Sequence, residues 1–168
     1  MFKLMPLIAV AALAIVAQPA PAQAALGPDA ASCRPGARGP AILVNISGFK
    51  NRAGRLRVQL YGGNPGDFLA KGKKLKRIDI PVARSGNMPV CVAVPRPGNY
   101  AIAVRHDADA NGKSGWSDGG GFSRNPKISL LDLKPKHNEV VIPVGNGVKP
   151  VDVVLNYRRG LAIGPVRN

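Results

Sequence analysis

The chain has 168 residues, 24 basic against 9 acidic side chains, and a formal net charge of +15 at pH 7. This length fits one domain with one substantial hydrophobic core. A protein this basic is attracted to polyanions, unless the charge serves solubility alone. Should the protein be exported, as the N-terminal residues described next predict, the expected polyanions are lipopolysaccharide, anionic lipid or acidic polysaccharide, and nucleic acid is not an expected partner.

The first residues are typical of a secretory signal peptide, 1–24. Residues 1–3 include Lys3, residues 4–17 are apolar, and Ala22-Gln23-Ala24 is a signal-peptidase site. The apolar stretch is too short to span a bilayer comfortably. We therefore predict a periplasmic or secreted protein with no transmembrane segment in the mature chain. Without Lys3, its 23 basic and 9 acidic side chains give a charge of +14.

Residues 25–39 are rich in Ala, Pro and Gly, show no periodicity and predict an extended leader. The chain has two cysteines, Cys33 and Cys91. In an exported protein this predicts one disulfide, and only one intramolecular pairing exists. The bond would tie the leader to a later strand. The alternative is two free thiols, which an oxidising compartment disfavours.

From Pro40 onward, apolar residues alternate with a period of two, which indicates strands with one buried face. Residues 42–46 and 56–60 predict a hairpin joined by a turn at 51–54. Further strands are predicted at 78–82, 90–94, 100–104, 140–144 and 151–157, and residues 128–131 favour a short strand or a cover segment. No long helix and no repeat is evident.

These seven short strands predict an all-β fold. We expect a seven-stranded antiparallel Greek-key sandwich of the immunoglobulin or transthyretin-like kind over residues 40–157, followed by a disordered tail at 158–168.

The densest basic run lies between the second and third predicted strands and comprises Lys71, Lys73, Lys74, Lys76 and Arg77. As a functional patch, these side chains would meet the phosphate or sulfate groups of a polyanion. The alternative is a solvated loop and edge strand, where lysine also discourages edge-to-edge pairing. A metal-free adhesion or polyanion-binding module using this run is one hypothesis for the function.

The loop after the fifth predicted strand holds the densest cluster of side chains with oxygen ligands. A calcium loop of the EF-hand kind has the pattern D-x-[DN]-x-[DN]-G with a carboxylate at position twelve. Three carboxylates would offset the charge of calcium. The residues at positions one, three, five, six, seven (through its carbonyl) and twelve are Asp107, Asp109, Asn111, Gly112, Lys113 and Asp118.

The alternative is a loop in which Asp and Asn side chains bond their own backbone and bind no metal. Ser114 at position eight is not apolar, and the predicted flanks are a strand and a loop rather than helices. Gly112 and His106 are predicted to organise the loop. Because His106 shares the parity of the apolar residues before it, we favour a partly buried histidine that bonds a backbone group over a metal ligand.

No catalytic arrangement is evident. The sequence has no C-x-x-C, H-E-x-x-H or phosphate loop, and its two histidines fit no Ser-His-Asp or Cys-His pattern. A hydrolase using His106 with Asp107 or Asp109 is the least favoured hypothesis. Trp116, the only tryptophan, lies in the loop, where it either stacks on a sugar or a partner or covers the loop base.

Several segments resemble the bacterial domain-of-unknown-function family 2141. They are residues 46–61, 97–107 with Asn111-Gly112-Lys113, 121–125 and 153–157. The His-Asp…Asn-Gly-Lys motif is the most specific of them. The resemblance implies export and a β-sandwich but no chemistry, because members have no assigned activity. We therefore expect an exported, non-catalytic envelope or binding module, with calcium at the 107–118 loop as its stabilising cofactor.

Overall fold

The structure, a computed structural model, describes residues 24–166. The predicted signal peptide lies outside the described residues, apart from Ala24. The described chain contains one short α-helix, α1 (His137–Val140), two 3-10 turns at Ala30–Cys33 and Pro65–Asp67, and ten strands. The strands are β1 (Ala41–Ser47), β2 (Arg55–Tyr61), β3 (Lys76–Pro81), β4 (Met88–Ala93), β5 (Gly98–Asp107), β6 (Gly119–Phe122), β7 (Ile142–Val144), β8 (Val148–Val154), β9 (Asn156–Arg159) and β10 (Ala162–Pro165).

The strands form two sheets arranged as a sandwich. The smaller sheet has the order β4-β1-β8, and the larger has the order β10-β9-β6-β5-β2-β3 with β7 on the first residues of β5. The all-β sandwich prediction is confirmed, with ten strands rather than seven. One pair, β1 with β8, is parallel, so the sheets are not wholly antiparallel. The Greek-key assignment stays a prediction.

The core lies between the sheets and is filled by the alternating apolar residues. Every second residue of β1 and β2 faces it, while the residues between them stay partly exposed. Removing these branched side chains from water is the main favourable term in folding. The residues at its centre, none more than 1% exposed, include Ile42, Val44, Ile46, Leu56, Val58, Leu60, Ile102 and Leu155.

The predicted hairpin between the first two strands is wrong. β1 pairs with β4 and β8, whereas β2 pairs with β3 and β5 in the other sheet. The apolar faces of β1 and β2 are buried in the same core, although the two strands do not pair with each other. The connection at 48–54 crosses between the sheets, with positive φ angles at Gly48 and Gly54.

Two strands lie where no strand is predicted. β6 falls in the glycine-rich loop, and β10 pairs with β9 inside the tail predicted to be disordered. The predicted strand at 151–157 divides at Leu155 into β8 and β9, which belong to different sheets. The segment 128–131 forms no strand, and Val140 ends α1 instead of starting β7.

The leader is fixed along β4. Cys33 forms the predicted disulfide with Cys91, with Cα atoms 5.9 Å apart. Leu26 accepts a hydrogen bond from the Cys91 amide at 3.0 Å, and the carboxylate of Asp29 lies 2.7 Å from Lys76 Nζ. A short 3-10 turn at Ala30–Cys33 interrupts the predicted extended course. Within the described residues, the structure has no helix of the length and apolarity needed to cross a membrane.

We expect Cys33→Ser to lower the free energy of unfolding by about 4 kcal/mol, the chain-entropy estimate for a loop of this size. The bond spans a sequence separation of 58, so its loss frees a long segment of the unfolded chain. Urea unfolding of oxidised wild type and of the variant measures the difference, and wild type kept in reductant should match the variant. Equal unfolding midpoints, or two free thiols in wild type purified without reductant, would contradict this.

Candidate functional site

His106 fixes the strand that carries the loop. The residue is fully buried, with Nδ1 2.6 Å from the Tyr157 hydroxyl of β9 and Nε2 2.8 Å from the Ala53 carbonyl oxygen. Because a carbonyl oxygen only accepts, Nε2 carries the proton in the neutral ring and Nδ1 accepts from Tyr157. Phe49 packs edge-on against the same imidazole. Both ring nitrogens are therefore engaged within the protein.

Arg105 and Asp107 point to the other face of β5, because successive residues of a strand alternate. Asp107 is 2% exposed, and its Oδ2 accepts from the Gly112 amide at 2.9 Å and from Arg105 Nη2 at 3.2 Å. The guanidinium also donates to the Gly112 carbonyl at 2.9 Å and to Ser114 Oγ at 3.0 Å. The loop is thus closed around Arg105, which the sequence analysis did not select.

The structure brings three of the predicted ligands together. Asp107, Asp109 and Asp118 each place a carboxylate oxygen within 4.8 Å of the other two. Within the described residues, Oδ1 of Asp107 is buried and has no hydrogen-bond partner. A buried acceptor without a partner costs about 1–3 kcal/mol, so this oxygen is a candidate ligand atom.

Most other side-chain oxygens of the loop accept hydrogen bonds from its own backbone. Asp109 Oδ1 accepts from the Asn111 amide at 3.2 Å, and Asn111 Oδ1 accepts from the Lys113 amide at 2.7 Å, both with the spacing of an Asx-turn. The two oxygens of Asp118 accept from loop amides at 3.1 and 2.9 Å. These bonds set the loop's shape without a metal. Asp109 Oδ1 and Asp118 Oδ2 each accept a single hydrogen bond and therefore keep a second lone pair. The loop is flanked by β5 and β6 rather than by helices.

Three members of the basic run form ion pairs, each with a different carboxylate. Lys71 and Lys74 form no ion pair within the described residues, whereas the other three members do. The run therefore does not present five uncompensated charges. The pairs are Lys76–Asp29 at 2.7 Å, Arg77–Asp79 at 2.5 Å and Lys73–Asp67 at 3.7 Å.

One family model matches the chain. Its description is an uncharacterised protein conserved in bacteria (DUF2141), and the match covers residues 44–152. That span is more than half of the chain and includes the whole 107–118 loop. No curated protein and no solved structure matches.

We expect Tyr157→Phe to cost about 1–3 kcal/mol of unfolding free energy at pH 7, because it leaves buried His106 Nδ1 without its donor. Burial raises the pKa of Tyr157, against opposing effects of the Lys50 backbone and Arg52. The folded state therefore keeps the phenolic proton to higher pH than the unfolded chain. The stabilisation that the protonated Tyr157 hydroxyl provides is complete below about pH 10 and is lost as the pH rises through the raised pKa. The difference in unfolding free energy between wild type and Tyr157→Phe should therefore decrease in that range.

Urea unfolding between pH 7 and pH 11 measures both effects. Tyr61→Phe is the matched control, because its hydroxyl makes no hydrogen bond within the described residues although burial also raises its pKa. The control should cost little at pH 7. Equal costs for Tyr61→Phe and Tyr157→Phe at pH 7 would show that the hydrogen bond to His106 does not stabilise the fold.

Two glycines with the same backbone angle offer a second test. Gly54 has φ +76° and an added Cβ would lie 2.0 Å from the Asp107 carbonyl oxygen, whereas Gly112 has φ +77° and open space around it. We expect Gly54→Ala to cost more than about 3 kcal/mol and Gly112→Ala about 1 kcal/mol, which is the backbone strain alone. Thermal unfolding measures both, and similar costs would contradict the close packing of the 48–54 connection on β5.

Proposed function

Because the chain belongs to the DUF2141 family of uncharacterised bacterial proteins, we propose its role from the geometry of its own loop. We infer an exported, non-catalytic β-sandwich module of the cell envelope that binds a calcium ion at the 107–118 loop. The observation that carries the proposal is the buried, unpartnered Oδ1 of Asp107 within a cluster of three carboxylates.

The spacing of the oxygens suits one hard cation. Calcium takes six to eight oxygen ligands at about 2.3–2.6 Å, so oxygens that share it lie no more than about 5 Å apart. The candidate oxygens of Asp107, Asp109 and Asp118 lie within 4.8 Å of one another. Water would complete the coordination, since the loop lies at the surface and Asp109 is exposed.

The charge of the cluster favours a divalent ion. The three carboxylates carry a formal charge of −3 and the Arg105 guanidinium on Asp107 carries +1, which leaves −2. Since Arg105 bonds Oδ2 of Asp107, Oδ1 stays free for an ion. Three carboxylates of which one is already paired fit an extracellular-type site with a dissociation constant of about 0.1–1 mM.

Export and the non-catalytic role have separate support. The Cys33–Cys91 disulfide fits an oxidising compartment. His106 is fully buried with both ring nitrogens engaged within the protein, and His137 Nε2 lies 3.2 Å from the Gly62 carbonyl oxygen, which supports a structural role for both histidines. Polyanion binding through the basic run has less support, because three of its five cations pair with carboxylates, one of which, Asp79, is shared with Arg57.

Calcium should stabilise the folded protein by mass action. At about 5 mM calcium, a site with this affinity adds about 1–2 kcal/mol to the unfolding free energy. We expect the melting temperature in calcium to exceed that in EDTA by several degrees, with a change in Trp116 fluorescence. Asp109→Asn should abolish the shift at little cost in EDTA. Asp107→Ala should cost more, because the acceptor for Gly112 and Arg105 is lost as well.

The matched control is Asp132→Asn, which removes an exposed carboxylate outside the loop and should keep the full shift. Equal ionic strength in all samples separates site binding from screening. Identical melting curves in EDTA and in calcium would overturn the calcium proposal. The Asp and Asn side chains would then serve only to hydrogen-bond the backbone of their own loop.

A further inference from the structure

An apolar groove lies beside the loop, on the outer face of the larger sheet. Tyr157 packs in the sandwich core, so its neighbour Arg158 points to the opposite side of β9, where the groove runs. The groove has a volume of about 510 Å³, within the usual range for small-molecule sites. Its apolar walls are Trp116, Phe122, Ile128, Leu130, Leu133 and Ile163.

Two of the five exposed large apolar side chains of the described residues line the groove. Trp116 is 73% exposed and Leu133 52%, both in the groove wall. Leu131 and Leu161, close in sequence to wall residues, are 101% and 89% exposed. Large apolar side chains gathered at one place on a surface mark an interaction site more often than scattered ones.

Arg158 is the one basic residue among those lining the groove. Its guanidinium stacks on Trp116, with the central carbon 3.1 Å from the ring centroid, and its Nε donates to the Gly160 carbonyl at 2.9 Å. It forms no ion pair within the described residues. The one acid in the lining, Asp118, has both oxygens bonded to loop amides. The remaining terminal N–H groups of Arg158 are therefore suited to an anion.

The chemistry of the walls identifies the class of ligand. A sugar needs several free polar groups around its ring, whereas most of the surface that lines this groove is apolar. Three of the four polar side chains in the lining, Ser114, Asp118 and Asn156, already form hydrogen bonds within the protein, which leaves Arg158 to meet an anion. We propose that the groove binds one medium-chain fatty acid, with its carboxylate on Arg158 and its alkyl chain along Ile128, Leu130 and Ile163. The net charge of +15 favours the approach of such an anion. This inference is independent of calcium and is tested in EDTA.

The experiment titrates the mature protein with decanoate and dodecanoate below their micelle concentrations. Trp116, the only tryptophan, reports binding by its fluorescence, and calorimetry gives the stoichiometry. We expect saturable binding of one molecule per chain. Each buried methylene raises affinity about fourfold, so dodecanoate should bind about fifteenfold more tightly than decanoate.

Three variants separate the contributions. Arg158→Met should weaken dodecanoate about tenfold and leave dodecanol unchanged, because only the carboxylate needs the guanidinium. Arg159→Met removes the same charge from the neighbouring residue, which does not line the groove, and should change neither affinity. Leu133→Gln should weaken both ligands by making a wall polar. All three positions are at least partly exposed, so the melting curves should stay close to wild type.

Absence of saturable binding by wild type overturns the proposal. So does an equal loss for Arg158→Met and Arg159→Met, which would show attraction by net charge rather than a carboxylate site. Co-sedimentation with phosphatidylglycerol vesicles without any response to monomeric dodecanoate would assign the apolar face to a membrane surface and would also overturn it.

Discussion

One buried imidazole connects the parts of this molecule on which the loop depends. His106 accepts from Tyr157 on β9 and donates to Ala53 in the connection between the sheets, and its ring has no contact with solvent. A buried polar network of this kind stabilises a structure only when each member has its partner. Because the next residue is Asp107, the same two hydrogen bonds fix the point from which the loop departs.

Because side chains alternate between the two faces of a strand, adjacent residues of β5 have different roles. His106 faces the core, while Arg105 and Asp107 on either side face outward and form the base of the loop. Hydrogen bonds from Arg105 and from loop amides hold the carboxylates in place before any ion binds. A loop already ordered by its own bonds would lose little conformational entropy on binding an ion, which is in keeping with the proposed cation site.

The same division recurs on β9, where Tyr157 faces the core and Arg158 faces the groove. The β9–β10 hairpin extends the larger sheet and places Arg158 over Trp116. Glycines at the first and third positions of β6 permit this arrangement, since an added Cβ at Gly119 would lie 2.4 Å from the Tyr157 ring. The groove and the loop are neighbours because β6 directly follows the loop and contributes Gly120 and Phe122 to the groove.

The sequence by itself determined which face of most strands is buried, because period-two alternation records burial residue by residue. It also determined the Cys33–Cys91 bond, since two cysteines permit one internal pairing. The grouping of the loop carboxylates was determined in the same way, since they lie close together in the chain. Which strands pair was decided only by the tertiary structure. The first two strands enter different sheets, β1 runs parallel to β8, and part of the predicted tail becomes the edge of the larger sheet. Burial is a property of one strand, whereas pairing, the enclosure of Arg105 and the stacking of Arg158 depend on residues far apart in sequence whose positions only the packed sheets define.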